Sequence, residues 1–374
     1  VYGNPEFEAY IDQWVQKIAQ QAVLAAGANN IAAIILGGGY GRGEGGVVTV
    51  PDGTMRPYND FDFFVITADC GYLTRRRINI ALRALGHELT RQVGIDVDFS
   101  PVKNRAELPR QQFTMMWQEL KSAHLVIYGE ANILELLPGF DLNQLPLEEL
   151  AKLMLNRGTG LIMAAERLRQ DKLAAADIDF ITRNIWKSIM ASGDCFLALQ
   201  HTFSSSYRRR AELMKNYQES PETADFVTLY QASIDFKLRP ELPPAESLPA
   251  MLVQAREFFA RFYLLVFNRC LGTTSLTFAE LQERLFKNPL FPSNATWRAV
   301  IKNLLLNILV VDRGKINLKW CSSYPRSRLF VIFPDFFLDS CDKSKYISVV
   351  PGLCPGSVCE DCFKKYLFLW NRFN

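Results

Sequence analysis

Asp60 and Asp62, two residues apart in Asn59-Asp60-Phe61-Asp62-Phe63-Phe64, have the types and spacing to do chemistry. On a strand, the side-chain period of two turns both carboxylates to one face, about 6.6 Å apart along the strand. Like charges that close raise one another's pKa unless a cation compensates, so the pair is costly as ordinary surface and favourable as a divalent metal site. Magnesium is the natural occupant of such hard oxygen ligands. A third ligand is on offer in Ile95-Asp96-Val97-Asp98-Phe99, where Asp96 and Asp98 share the polar face of another strand. Asp98 is the preferred one.

A phosphate-binding turn precedes the aspartates. Ile31 to Leu36 is a β-branched apolar run that ends at Gly37-Gly38-Gly39, a buried strand entering a tight turn. Without side chains, the backbone N–H groups of Gly38 and Gly39 can approach phosphate oxygens. Arg42 is a further candidate, since a guanidinium binds phosphate in bidentate fashion, while Glu44 reads as solvated. Gly41-Arg42-Gly43-Glu44-Gly45-Gly46 also satisfies the GxGxxG pattern of nicotinamide-dependent oxidoreductases. That fold needs a helix of about 10 residues after the glycines. Residues 47–59 contain Pro51, Asp52-Gly53 and Pro57 and read as a hairpin instead.

The elements that position these residues follow from periodicity. Phe7 to Ala26 is predicted as an amphipathic helix, Phe61 to Ile66 as a strand, Leu73 to Val93 as a helix with a basic face, and Ile95 to Phe99 as a strand. Long helical patterns follow at 147–169, 178–203, 207–217 and 251–271, with a proline-rich connection at 240–249. Beyond Arg313 the chain reads as strand-like and punctuated by Pro and Gly. The expected class is α+β, with a mixed sheet and flanking helices over 1–135, a helical domain over 136–312 and a small Cys-rich segment over 313–374.

Glycine turn, Asp-x-Asp and later strand aspartate together resemble the signature of the DNA polymerase beta-like nucleotidyltransferase superfamily. In the branch that includes aminoglycoside nucleotidyltransferases the motif reads roughly Gly-Ser-x-Ala-Arg-Gly, then Ser-Asp-x-Asp. Here it is Gly38-Gly39-Tyr40-Gly41-Arg42-Gly43, then Asn59-Asp60-Phe61-Asp62. His124 to Gly129 resembles the strand that closes that catalytic domain, so the resemblance covers about 30–130. It implies transfer of a nucleoside monophosphate from ATP or another NTP to a small molecule, protein or RNA, with pyrophosphate leaving. Asp60 and Asp62 would hold magnesium on the triphosphate, and Asp98 would join the metal nearest the nucleophile. It also implies that the helical domain contributes to the cleft. Arg183, Lys187 and Asp194 share one helix face, so Lys187 is the candidate for the triphosphate, and Tyr207 with Arg208, Arg209 and Arg210 for the acceptor.

Lys and Arg number 42 against 39 Asp and Glu, a net charge of +3, so any basic surface must be local. Apolar runs break well before the ~18 residues a membrane span needs, and Val1 to Pro5 lack the character of a signal peptide. A cytoplasmic location without membrane contact is the expectation. Cys354-x4-Cys359-x2-Cys362, with Cys341 upstream, offers thiolates for zinc or an iron–sulfur cluster. The alternative to an enzyme is a non-catalytic nucleotide-binding regulator with that tail as a metal-binding module, and pyrophosphate release separates the two.

Overall fold

The computed structural model describes residues 3–219, 223–289, 297–312, 320, 323–338, 349–350 and 360–373. Its architecture is mixed α+β, and its contacts divide the chain into two compact units. The first comprises Val1–Pro146 and Leu197–Leu242, the second Leu147–Phe196 and Pro243–Asn374.

Helix α1 (Pro5–Ala26) starts where the Asn4 side chain accepts the Phe7 N–H at 2.8 Å, with Pro5 in the first turn where its missing N–H does no harm. Strand β1 (Ile31–Leu36) runs into the single turn α2 (Gly38–Gly41) and the hairpin of β2 (Gly46–Thr49) and β3 (Met55–Tyr58). No long helix stands between the glycines and β4 (Asp60–Thr67), as the two prolines require. Helix α3 (Tyr72–Val93) carries the chain from β4 to its parallel neighbour β5 (Asp96–Phe99), and the short β6 (Lys103–Asn104) also pairs with β4. Helix α4 (Met115–Ser122) precedes β7 (Leu125–Gly129). The sheet order is β5-β4-β1-β7, with β1 antiparallel to both β4 and β7.

Both faces of the central strands are covered, and the alternation along β4 assigns each residue to one of them. Phe61, Phe63 and Val65 pack with the buried stripes of α1 and α3, whereas Phe64 and Ile66 pack with Trp117 and Leu120 of α4. Asp60 and Asp62 continue the second face to where its apolar cover ends, and both are half-buried. A one-residue slip of register would drive both carboxylates into the core, so the fold fixes their direction strongly.

Nine further helices are described: α5 (Leu147–Leu168), α6 (Ala175–Leu199), α7 (Tyr207–Lys215), α8 (Val227–Leu238), α9 (Leu248–Leu271), α10 (Phe278–Lys287), α11 (Trp297–Leu306), α12 (Arg326–Phe337) and α13 (Glu360–Phe373). Residues 197–242, expected within the helical domain, group instead with the first unit and bring α7 and α8 to it. In the second unit Tyr263 stacks on Phe333 at 4.8 Å between centroids, and Gly158 lets that ring approach, since a Cβ there would stand 2.4 Å from Phe333. Arg328 and Asp312 form a bidentate ion pair, both contacts 2.7 Å, with the two side chains 1% and 2% exposed.

The strand-like reading beyond Arg313 is overturned over 326–337 and 360–373, which are helical. Helix α12 is buried on all sides, so its apolar residues show no 3.6-residue period and imitate a core strand. Of the candidate metal ligands in the tail, Cys341, Cys354 and Cys359 lie outside the described residues, and Cys362 is buried on α13. Among the described residues no helix is long and apolar enough to cross a membrane.

Candidate active site

Strands β4 and β5 run parallel with Asp60 opposite Asp96 and Asp62 opposite Asp98. Because paired residues share a face, this register gathers four carboxylates on one surface. Burial pushes the Asp62 carboxyl up to about 7; Asp60 and Asp98 add to the rise while Lys237 and Arg42 oppose it. The Asp98 carboxyl is also raised, by local desolvation first and then by Asp60 and Asp96, against the pull of His87. The surface therefore holds more negative charge than its own cations balance.

The glycine turn is built against this surface. The Gly37 N–H donates to the Asp62 carbonyl at 2.8 Å. Gly38 has φ +59, and a Cβ there would stand 1.9 Å from the Asp62 carboxylate, so only glycine fits. At the following residue, Gly39, the N–H lies in the first turn of α2, where no carbonyl four residues back within the helix is available. The Arg42 side chain is 5% exposed, lies 3.9 Å from the Glu119 carboxylate and stacks 4.9 Å from the Tyr207 ring. Its Nε has no hydrogen-bond partner among the described residues. Leaving such a donor buried costs about 1–3 kcal/mol, which an anion at the guanidinium would recover.

Two residues fix where β4 begins. The buried Tyr40 hydroxyl donates to the Gly46 carbonyl at 2.6 Å and accepts the Tyr58 N–H at 3.1 Å, with its ring 4.7 Å from Phe61. It thus clamps both ends of the hairpin to the glycine turn. Asn59 has φ 76, a left-handed conformation uncommon outside glycine, immediately before Asp60. The reversal there aims the two aspartates.

Sequence reasoning missed Lys237, in the last turn of α8, whose charge is close enough to hold the Asp62 pKa down. It also missed the role of Glu44, which is not solvated. Glu44 is buried and accepts from the Ser206 hydroxyl at 2.7 Å and from the Tyr207 and Arg208 N–H groups at 2.9 and 3.2 Å. It neutralises the first turn of α7, where N–H groups lack helical partners and the dipole favours negative charge. Glu44→Ala is expected to destabilise the protein by about 1–2 kcal/mol in urea denaturation, whereas a truly solvated residue would give less than about 0.5.

The stretch expected near the acceptor divides. Arg210 is buried, 2.7 Å from Glu119, and Tyr207 is buried beneath it; Arg209 is exposed and pairs with Glu212 at 3.0 Å. Lys187 is half-buried on α6 in the second unit, together with the buried Asp194 and with Arg183, which lies 2.9 Å from Asp179. Among the described residues no three His, Cys, Asp or Glu side chains converge into a ready-made metal cage. A magnesium site that works on phosphates does not need one, because one or two carboxylates suffice and phosphate and water fill the other positions. The donors present are hard oxygens, which fit that ion. Neither family models, curated proteins nor solved structures match the chain.

Proposed function

We propose that the protein is a magnesium-dependent nucleotidyltransferase of the DNA polymerase beta type, moving a nucleoside monophosphate from ATP or another NTP to an acceptor. The observation that carries this reading is the in-register set of Asp60, Asp62, Asp96 and Asp98 beside a glycine whose Cα faces the Asp62 carboxylate. Such a surface is unfavourable alone and favourable around a cation bearing phosphates.

Asp60 and Asp62 hold the metal side of the triphosphate, with Gly38 and Gly39 offering backbone N–H groups to its oxygens. Arg42 and Lys237 are cations of this unit within electrostatic reach of Asp62 and would serve the same anion. Lys187 enters on sequence grounds alone. An acceptor oxygen or nitrogen attacks the α-phosphorus, the bond to the bridging oxygen breaks and pyrophosphate leaves. Asp98 takes the acceptor's proton, a role its raised pKa favours. Magnesium, when bound, neutralises the phosphates and acidifies the acceptor.

Calorimetric titration with a non-hydrolysable ATP analogue tests this. Binding that requires magnesium and fails in Asp60→Asn/Asp62→Asn supports it; binding indifferent to both, or none, refutes it. Lys237→Met is expected to weaken the magnesium–analogue complex about tenfold or more, since a charge-assisted phosphate contact is worth roughly 1.5–3 kcal/mol. An unchanged affinity would remove Lys237 from the site.

A further inference from the structure

The exposed face of α3 takes no part in the reaction above. This helix carries five arginines against one acid, Glu88. Arg75 is ion-paired with Glu107, whereas Arg76, Arg77, Arg83 and Arg91 are exposed and form no ion pair among the described residues. At 1.5 Å per residue, Arg76 to Arg91 spans about 22 Å. Against a chain whose net charge is only +3, this is a concentrated local field, and the arginines repel one another unless an anion lies over them.

Large apolar side chains stand among these cations: Tyr72, Leu73 and Ile80 are 70%, 75% and 62% exposed. They do not form the continuous apolar face that a helix lying in a bilayer needs, because α3 buries that face, Ile78, Leu82, Leu89 and Val93, in its own core. An exposed ring beside spaced guanidinium groups suits a strand whose bases are free to stack and whose phosphates recur along a line. Beyond Arg91 the helix ends at Gly94 and enters β5, where Asp96 and Asp98 sit, and His87 of the same helix lies within electrostatic reach of Asp98.

We propose that the exposed face of α3 is a track for the phosphodiester backbone of a single-stranded polynucleotide, contacted by Arg76, Arg77, Arg83 and Arg91 with Tyr72 as a stacking platform. That this polynucleotide is the acceptor rests on the transferase reading; that it binds does not.

The test is fluorescence anisotropy of the full chain with labelled oligoadenylate and oligodeoxyadenylate of roughly 20 nucleotides, with phosphatidylserine vesicles as a separate arm. Binding should weaken with salt at about −0.7 in log K per log salt for each phosphate neutralised, hence roughly −2 to −3 for four arginines. Replacing Arg76, Arg77 and Arg83 together by Gln should lower affinity at least tenfold and flatten the slope by about 2, while Tyr72→Ala should weaken binding about fivefold or more. RNA binding without DNA binding, or the reverse, identifies the source of the backbone and supports the track. Absence of binding to both oligonucleotides, binding unchanged in the triple variant, or binding to vesicles in their place overturns it. The same variant should keep wild-type melting and magnesium-dependent binding of the ATP analogue. If the analogue fails to bind wild type while the oligonucleotides bind, the transferase reading falls and the track stands.

Discussion

Asp62→Asn is expected to abolish turnover, lowering pyrophosphate release by about a thousandfold or more, and at the same time to stabilise the metal-free protein. The amide keeps the shape of the side chain but brings no charge to a cation, so the proposed triphosphate site would lose its metal anchor. The gain in stability has a separate origin. The Asp62 carboxyl stands at about 7 against an ordinary 3.8, because ionising it works against burial and against Asp60. A raised acid pKa means that the unfolded chain gives up this proton first. Stability contributed by the protonated form is therefore present below about pH 4 and is lost as pH rises to about 7, a loss of at most ~4 kcal/mol at 1.36 kcal/mol per pH unit. Urea denaturation in chelator at several pH values checks this: wild type should lose stability across that window more steeply than the Asn variant. An Asn variant less stable than wild type at pH 8 would show that the site is not strained by its own charge.

Arg328→Ala is expected to destabilise the second unit by about 3–5 kcal/mol. Its guanidinium makes two 2.7 Å contacts with Asp312 and donates to the Val349 carbonyl at 2.9 Å, with both side chains essentially out of water. Truncating one partner leaves a buried carboxylate with no counter-charge. Replacing both, as Arg328→Met with Asp312→Leu, should recover most of the loss, since a buried pair is often no better than apolar residues that fill the same space. Denaturation midpoints of the two variants measure this, and a loss below about 1 kcal/mol for Arg328→Ala would mean that water reaches Asp312.

The elements around the carboxylates were legible because each carries a local signal. Strand β4 alternates Phe with Asp until Phe64, the prolines at 51 and 57 exclude a helix after the glycines, and Asn4-Pro5 marks the start of α1. What was not legible depends on partners distant in the chain. Glu44 looks like a charged residue in a glycine-rich loop, and the groups that engage it begin at Ser206. Lys237 stands in an unremarkable last turn, and nothing near it in sequence says that its helix packs with the first unit. Helix α12 failed for the opposite reason: Leu329 to Phe333 is so completely buried that it lost the period that distinguishes helix from strand.

The return of residues 197–242 to the first unit also governs how the protein is made. On the ribosome the glycine turn and the four aspartates of the site, all before Phe99, emerge early, but Glu44 must wait for Ser206 and Asp62 for Lys237. A nascent chain halted near residue 146 would hold the carboxylates with Arg42 but without Lys237, the larger of the two cationic influences on Asp62. The polypeptide must therefore emerge through Leu147–Phe196 of the second unit before the first is whole, and a product truncated within that interval would expose to the cell's free divalent ions an acidic surface that lacks Lys237.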